Sequence, residues 1–333
     1  VAPYIARLFA AMLEKAEIPA CWKIARITPL YKKGSVVDPG NYRMLAVSGT
    51  LYRLYANVLR EVVTGWCKEK SKIPDTQYGF YPGRNTLQPI FILRHLQHAA
   101  QVKRPKGSPR LHAAFIDFKQ AYDTIPREAL WKHLQRIRMP TCLLNIIKNM
   151  YADDEYILVD GSKQARVRPH FGVKQGCPLS PLLFSLYIND VDCLAENVQG
   201  AVTGASDVHV THMLYADDLC LTSNQPGQLQ LMLDRVHAYA QRKGLVINAS
   251  KSEVVHFNSR GNNVPVFTLG GARLACAESF KYLGMLFTKQ RNPQATAEHM
   301  CTPFLAGCRR IKQFASEYHL ADRPHTMLWL IKA

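Results

Sequence analysis

The residues best placed to do chemistry are acids at the ends of apolar segments. In His212-Met213-Leu214-Tyr215-Ala216-Asp217-Asp218-Leu219-Cys220-Leu221, two adjacent aspartates stand between two strand-like runs. An ordinary hairpin tip favours Gly, Asn or Asp-Gly, and here neither Gly nor a flanking Lys or Arg accompanies the pair. Like charges held this close repel unless a cation shares them. Mg²⁺ suits such donors, being a hard ion held by one or two carboxylates plus substrate phosphates. Taken alone, the tetrapeptide reads better as a solvated hairpin tip. Asp117 changes the weighing, because it ends the apolar run Ala113-Ala114-Phe115-Ile116, where a charge is costly unless paired or metal-bound. If that run lies beside the 210–221 hairpin, Asp117 and Asp217 can share two metals. Such a pair stabilises the attacking and leaving oxygens of in-line phosphoryl transfer. Polymerases and nucleases both use it, and the carboxylates alone do not choose between them.

The same four letters recur as Tyr151-Ala152-Asp153-Asp154. This copy follows Leu143-Leu144-Asn145-Ile146-Ile147-Lys148-Asn149-Met150, whose apolar spacing is helical. It is expected at a helix end, as solvated acids needing no metal, with Asp153→Asn and Asp154→Asn nearly silent. The catalytic role falls to 217–218.

Several elements must position these acids. The spacing predicts a helix over 3–16, then a strand over 22–31 leading into the basic turn Lys32-Lys33-Gly34. Helices are expected over 48–66, with Ser48 as N-cap, and over 87–101. Arg104-Pro105-Lys106-Gly107 reads as a loop. The stretch 111–118 is apolar on both faces, which predicts a central strand. Helices follow Pro126 and Pro140, and a hairpin over 155–171 turns near Asp160-Gly161. Ser180-Pro181 reads as an N-cap and first helical proline, opening an apolar helix to about 194. Two short strands fill 210–223, an amphipathic helix 226–243, and strands 253–258, 264–268 and 280–287. Strands and helices interleave irregularly with hairpins among them, so the fold class is α+β rather than a doubly wound parallel sheet.

A chain of 333 residues with 47% apolar composition can bury cores for two or three subdomains. Lys and Arg outnumber Asp and Glu by 42 to 25, a net charge of +17. That surplus points to a polyanionic partner, through release of counterions from phosphates. A basic protein with no nucleic-acid role is the alternative. The 9 cysteines form no C-x-x-C pair and no zinc-spaced cluster with His, which suggests reduced thiols in an intracellular setting. No apolar run approaches the ~18–20 residues of a membrane span, and no signal peptide is evident, so no membrane partner is expected. The chain opens on Val1 and stops within the apolar Met327-Leu328-Trp329-Leu330-Ile331. It is expected to be an excerpt of a longer polypeptide.

From residue 22 to 287, ordered blocks resemble the reverse transcriptases of non-LTR (LINE-type) retrotransposons, relatives of group II intron and telomerase enzymes. Phe115-Ile116-Asp117-Phe118-Lys119-Gln120-Ala121-Tyr122-Asp123 is similar to the family's first catalytic motif. Gly172-Val173-Lys174-Gln175-Gly176-Cys177-Pro178-Leu179-Ser180-Pro181 resembles its template and nucleotide motif, and Tyr215-Ala216-Asp217-Asp218 its polymerase signature. Gly244-Leu245-Val246-Ile247-Asn248 with Lys251, then Phe280-Lys281-Tyr282-Leu283-Gly284, resemble the last two palm motifs. Upstream, Asn41-Tyr42-Arg43 and Gln77-Tyr78-Gly79-Phe80 with Gly83-Arg84 resemble finger motifs. A lone copy of the signature is weak, as residues 151–154 show; seven blocks in order are specific.

The resemblance implies a right-hand polymerase: an N-terminal extension helix over 1–21, fingers over 22–110, and an antiparallel-sheet palm over 111–288 carrying finger elements near 127–171. A truncated thumb would start within 289–333. It implies an RNA-directed DNA polymerase with an RNA template, a DNA primer and dNTPs as partners. Two Mg²⁺ ions, with Mn²⁺ as a substitute, would sit on Asp117 and Asp217, supported by Asp218. Tyr122 would be a steric gate against a 2′-hydroxyl. Lys32 or Lys33, with Arg43, would clamp the triphosphate. Lys251 would serve the departing pyrophosphate as a proton donor. Gln175 and Gly176 would line the nucleotide pocket, Phe80 and Arg84 would touch template, and Phe280, Tyr282 and Gly284 would form a primer-positioning hairpin. By the same analogy the enzyme would act in the nucleus, with a cytoplasmic stage. Met44 stands where the family commonly has proline, Tyr122 where it has Phe, and Lys174 and Tyr81 where Arg is frequent. None of these departures removes a carboxylate. The rival readings are an inactive RNA-gripping module, an RNA-dependent RNA polymerase and a two-metal nuclease. Tyr122 opposes the second, and the triphosphate clamp opposes the third.

Overall fold

The computed structural model describes residues 1–102, 111–160, 162–202, 208–258, 264–290 and 292–317. The loop expected at Arg104–Gly107, the hairpin residue Gly161 and the apolar 327–331 stretch lie outside the described residues.

In chain order the elements begin with α1 (Ala2–Lys15), β1 (Ile24–Tyr31), β2 (Tyr42–Ser48), α2 (Thr50–Glu69), α3 (Leu87–Val102) and β3 (Leu111–Ile116). Then come α4 (Ala121–Thr124), α5 (Arg127–Arg136), α6 (Thr141–Tyr151), β4 (Glu155–Asp160), β5 (Lys163–Val167) and α7 (Ser180–Tyr187). The strands β6 (Ala201–Val202), β7 (His209–Val210), β8 (His212–Tyr215) and β9 (Asp218–Ser223) lead to α8 (Pro226–Lys243) and β10 (Glu253–Phe257). Short strands β11 (Thr268–Leu269), β12 (Ala272–Arg273) and β13 (Ala275–Cys276) precede the hairpin β14 (Ser279–Tyr282) and β15 (Met285–Thr288), and α9 (Pro293–Glu317) follows.

Two sheets organise these elements. The first has the order β2-β1-β4-β5, and the second β13-β10-β3-β9-β8. The expected α+β class is found, with antiparallel pairing dominant in both sheets. β3 is the middle strand of the second sheet, and its six residues are all buried. Its side chains alternate between two cores, as a pleated strand requires. Ala114 and Ile116 join a core built with α2, α6, α7 and α8. Leu111, Ala113 and Phe115 join a second core with Leu93 and Leu96 of α3. Each large apolar side chain so buried is worth about 1.5–3 kcal/mol relative to exposure, which fixes the sheet's register against a one-residue slip.

Four local expectations are corrected. Ser48 is not the cap of α2. It is the last residue of β2, paired with Ala25, and Gly49 takes the N-cap position. Ser180 is the first residue of α7 rather than its cap, and its buried hydroxyl meets the Tyr151 hydroxyl at 3.2 Å. α7 ends at Tyr187, and Val191–Ala195 is a separate 3₁₀ turn. Within 264–268 only Thr268 is in a strand, since Pro265 has no N–H for a ladder.

Candidate active site

The pairing of β3 with β9 brings the distant acids together. Ile116 faces Leu219, so extending that register by one residue sets Asp117 opposite Asp218. β8 and β9 close with Tyr215 paired to Asp218, leaving Ala216 and Asp217 as the two-residue tip. On the other flank, Glu253 faces Phe115, and Lys251, two residues earlier, lines the same cavity as Asp117. The chain between is tied down: Ser252 Oγ accepts from the Asp117 amide at 3.1 Å, and the Asn248 amide donates to the Asp117 carbonyl at 2.8 Å. A cavity of about 200 Å³ is lined by Asp117, Asp218 and Lys251 together with Phe115, Phe280 and Tyr282.

The carboxylates repel. Burial raises Asp217, and the Asp117 charge raises it further, while Arg43 opposes the shift. Asp218, whose outer face is exposed, is raised to about 6 by burial and then by the Asp217 and Asp117 charges. Such a cluster of hard oxygen donors, frustrated without a cation, fits divalent-metal binding. Among the described residues no three acidic, His or Cys side chains are already drawn into a metal cage. Ions that keep waters and bind substrate phosphates do not need one.

A second wall faces these acids. Tyr122 lies on α4, its ring 5.0 Å from that of Phe184 and nearly parallel at 26°. Its phenol is held up first by burial and then by the Asp217 and Asp218 charges. One face of the ring thus packs on the core while the hydroxyl feels the acids. Beside it, Asp123 accepts from Gln175 Nε2 at 2.7 Å. Burial raises the Asp123 carboxyl, and Gln175, Lys32 and Arg43 pull it back down. The charge of Lys32, in the basic turn, thus reaches Asp123. Gln175 is also pinned by its backbone, the Ala46 amide of β2 donating to its carbonyl at 2.7 Å. Gly176, at φ +104, passes so near β2 that a Cβ would stand 3.1 Å from the Ala46 carbonyl oxygen.

Gly172 shows why the two motifs lie together. Its amide donates to the Ile125 carbonyl, and the Val173 amide to the Tyr122 carbonyl, both at 2.8 Å. At φ +77, a Cβ here would lie 2.7 Å from the Asp123 carbonyl oxygen and 2.8 Å from its Cα. Gly172→Ala is expected to cost about 1–3 kcal/mol and to raise the KM for nucleotide. A denaturation midpoint equal to that of the unmodified chain would contradict this close approach.

The other sequence-derived candidates are placed as follows. Phe80, at φ 56, is 55% exposed, its ring 5.9 Å from that of Tyr215. The Arg84 guanidinium is spent on internal acceptors: the Pro74 carbonyl, the Gln77 carbonyl at 2.6 Å and Asp75 at 2.7 Å. It braces the loop that carries Phe80. Phe280 stacks on Phe115 with centroids 4.0 Å apart, Tyr282 is buried beside it, and Leu283 and Gly284 make the left-handed turn between β14 and β15. Lys33 is exposed on the turn after β1.

The second copy of the signature is not a solvated helix end. Asp153 is exposed, but Asp154 is 2% exposed. Asp154 accepts from Arg127 Nη1 at 2.7 Å and from Nη2 at 3.1 Å, and lies 3.7 Å from Lys174 Nζ. Lys174 is fully buried, its ammonium 4.7 Å from the centre of the Tyr52 ring. Burial lowers its pKa, and Asp154 holds it up. The acid is the counter-ion of two buried cations, one of them next to Gln175. Asp123 and Gln77 also join the site, the latter through the Ala216 amide at 2.9 Å, although neither residue type announces it in the sequence.

Solved telomerase structures share this architecture. Apo telomerase from Candida tropicalis, truncated from its C-terminal domain, matches 86% of this chain and 58% of its own, with TM-score 0.56 and 11% identity. Telomerase from Candida albicans, in complex with a TWJ fragment of telomeric RNA, matches 85% and 49%, with TM-score 0.52 and 13% identity. The chain thus shares the polymerase fold of these telomerases. The family model "Reverse transcriptase (RNA-dependent DNA polymerase)" matches residues 30–287, and the chain belongs to that family.

Among curated relatives, the RNA-directed DNA polymerase from mobile element jockey of Drosophila melanogaster is 26% identical over 296 residues, 86% of this chain and 31% of that protein. The Pol polyprotein from type-1 retrotransposable element R2 of Nasonia vitripennis is 27% identical over 295 residues, 85% and 28%. The transposon TX1 149 kDa protein of Xenopus laevis is 30% identical over 262 residues, 75% and 19%. The resemblance to non-LTR retrotransposon enzymes is borne out, and the chain spans less than a third of the length of these relatives.

Proposed function

We propose that this chain performs RNA-templated DNA synthesis, extending a DNA primer with dNTPs. The observation that carries the reading is the strand register that sets Asp117 against Asp218 at the tip bearing Asp217, with Tyr122 feeling these acids and the charges of Arg43 and Lys32 acting on the carboxyls around them. Asp117 and Asp217 would hold two Mg²⁺ ions, or Mn²⁺ in their place, with Asp218 in support. When bound, the ions would stabilise the attacking and leaving oxygens of the in-line displacement.

The chain's own groups supply the rest. Arg43 and Lys32 would neutralise the incoming triphosphate. Gln175 and Gly176 would border the nucleotide, held by Ala46 and Asp123. The primer 3′-hydroxyl would attack the α-phosphorus and pyrophosphate would leave; Lys251, lining the same cavity as Asp117, would donate a proton to it. Phe80 would stack on template. The hairpin bearing Phe280, Tyr282 and Gly284 would present the primer end. By family analogy the template is the element's own RNA and the site of action the nucleus. Among the described residues, no helix is long and apolar enough to cross a membrane.

Tyr122 separates this reading from RNA synthesis. Its ring is backed on one face by Phe184, and would stand against a 2′-hydroxyl. Tyr122→Ala is expected to admit rNTPs, cutting discrimination by about 10-fold or more. The check is competitive incorporation of dNTPs and rNTPs on one RNA template. Unchanged sugar selectivity would remove the gate from Tyr122, and efficient rNTP use by the unmodified chain would favour an RNA polymerase.

A further inference from the structure

The Tyr215–Asp218 turn has a conformational problem. Ala216 is 2% exposed and sits at φ 56, a region that L side chains rarely adopt. A non-glycine residue keeps such a backbone only where its surroundings over-determine it. One side chain from 139 residues away does so. Gln77 is 1% exposed, and its Oε1 accepts from the Ala216 amide at 2.9 Å. Its Nε2 donates to the Ala216 carbonyl at 3.3 Å. A single carboxamide thus reads both polar groups of the strained residue.

The carboxamide is itself held in place. Oε1 also accepts from the Gly79 amide at 2.8 Å. The segment 76–78 runs beside β8, the Leu214 amide donating to the Thr76 carbonyl at 2.8 Å and the Tyr78 amide to the Leu214 carbonyl at 2.7 Å. Arg84 grips the Gln77 carbonyl from the other side. Gly79 passes so near the turn that a Cβ there would lie 2.3 Å from the Ala216 nitrogen.

We infer that Gln77 is the positioning residue of this turn, fixing Ala216 in its left-handed conformation and thereby setting where the Asp217 and Asp218 carboxylates point. Gln77 acts through the backbone that carries the acids. The inference rests on the assignment of Asp217 and Asp218 to divalent-cation binding.

The test is a Mn²⁺ titration of the whole chain, followed by electron paramagnetic resonance, with Asp217→Asn defining the site that belongs to the acids. Gln77→Met, nearly isosteric but without the hydrogen bonds, is expected to weaken that site about 10-fold. Adding Ala216→Gly to Gln77→Met is expected to restore most of the affinity, because glycine adopts positive φ without a Cβ penalty. Packing loss alone would not be repaired by a glycine in the turn. Gln77→Asn keeps the carboxamide one methylene short, and serves if the methionine variant does not fold. A Gln77→Met isotherm superimposing on that of the unmodified chain overturns the inference, and so does a weakened site that Ala216→Gly fails to recover. If the unmodified chain shows no Mn²⁺ site that Asp217→Asn removes, the metal assignment itself fails and the inference falls with it.

Discussion

Asp217→Asn is expected to lower primer extension by a factor on the order of 10³ or more while leaving RNA affinity nearly intact. The substitution is isosteric and keeps a hydrogen-bonding tip, so the turn itself should survive. What disappears is one negative charge of a cluster in which Asp117 raises Asp217, and both raise Asp218. Folding alone would tolerate that loss, because the native cluster is repulsive. A variant that is at least as stable as the unmodified chain and catalytically dead would therefore separate function from stability at this position. Extension assays beside equilibrium RNA binding and thermal unfolding make the comparison. Retained extension would take the metal role away from Asp217.

The other large effect is on stability. Asp154→Asn is expected to destabilise the fold by about 3–5 kcal/mol. The acid side chain is 1% exposed, and its partners Arg127 and Lys174 are 10% and 0% exposed. Removing its charge leaves two cations buried among Tyr52, Tyr151 and Met150 without their ion-pair partner among the described residues. Asp153→Asn, one residue earlier, is the control. Its side chain is exposed at φ 55, a conformation that Asn accepts as readily as Asp, so the change should stay within about 0.5 kcal/mol. Chemical denaturation of the two variants decides the matter. Equal midpoints would mean that the buried ion pair contributes nothing. Because Lys174 precedes Gln175, the Asp154 variant should also bind nucleotide more weakly at temperatures where it remains folded.

The two copies of Tyr-Ala-Asp-Asp show what sequence does and does not disclose. Residue types and continuous apolar runs placed Asp117 at the end of a doubly buried strand and Asp217 at a hairpin tip, because both are local properties of the chain. Segment order and the +17 charge then supported a polymerase over an isolated hairpin. The helix before Asp153 was equally legible. That Asp154 turns inward was not, since it depends on Arg127 and Lys174 arriving from 27 and 20 residues away on other elements. Gln77 escaped for the same reason: nothing in its neighbourhood announces a contact with Ala216. Ser48 and Ser180 looked like helix caps because their residue type is right for one. β-pairing claimed the first, and the Tyr151 hydroxyl the second.

The most direct test is primer extension on an RNA template with Mg²⁺ and dNTPs, run beside Asp217→Asn. The expected result is templated extension by the unmodified chain, dependent on dNTPs and on the divalent ion, and absent from the variant. Tight RNA binding without any extension, in a chain whose carboxylates are intact, would contradict the assignment and leave a polymerase fold that grips RNA without copying it.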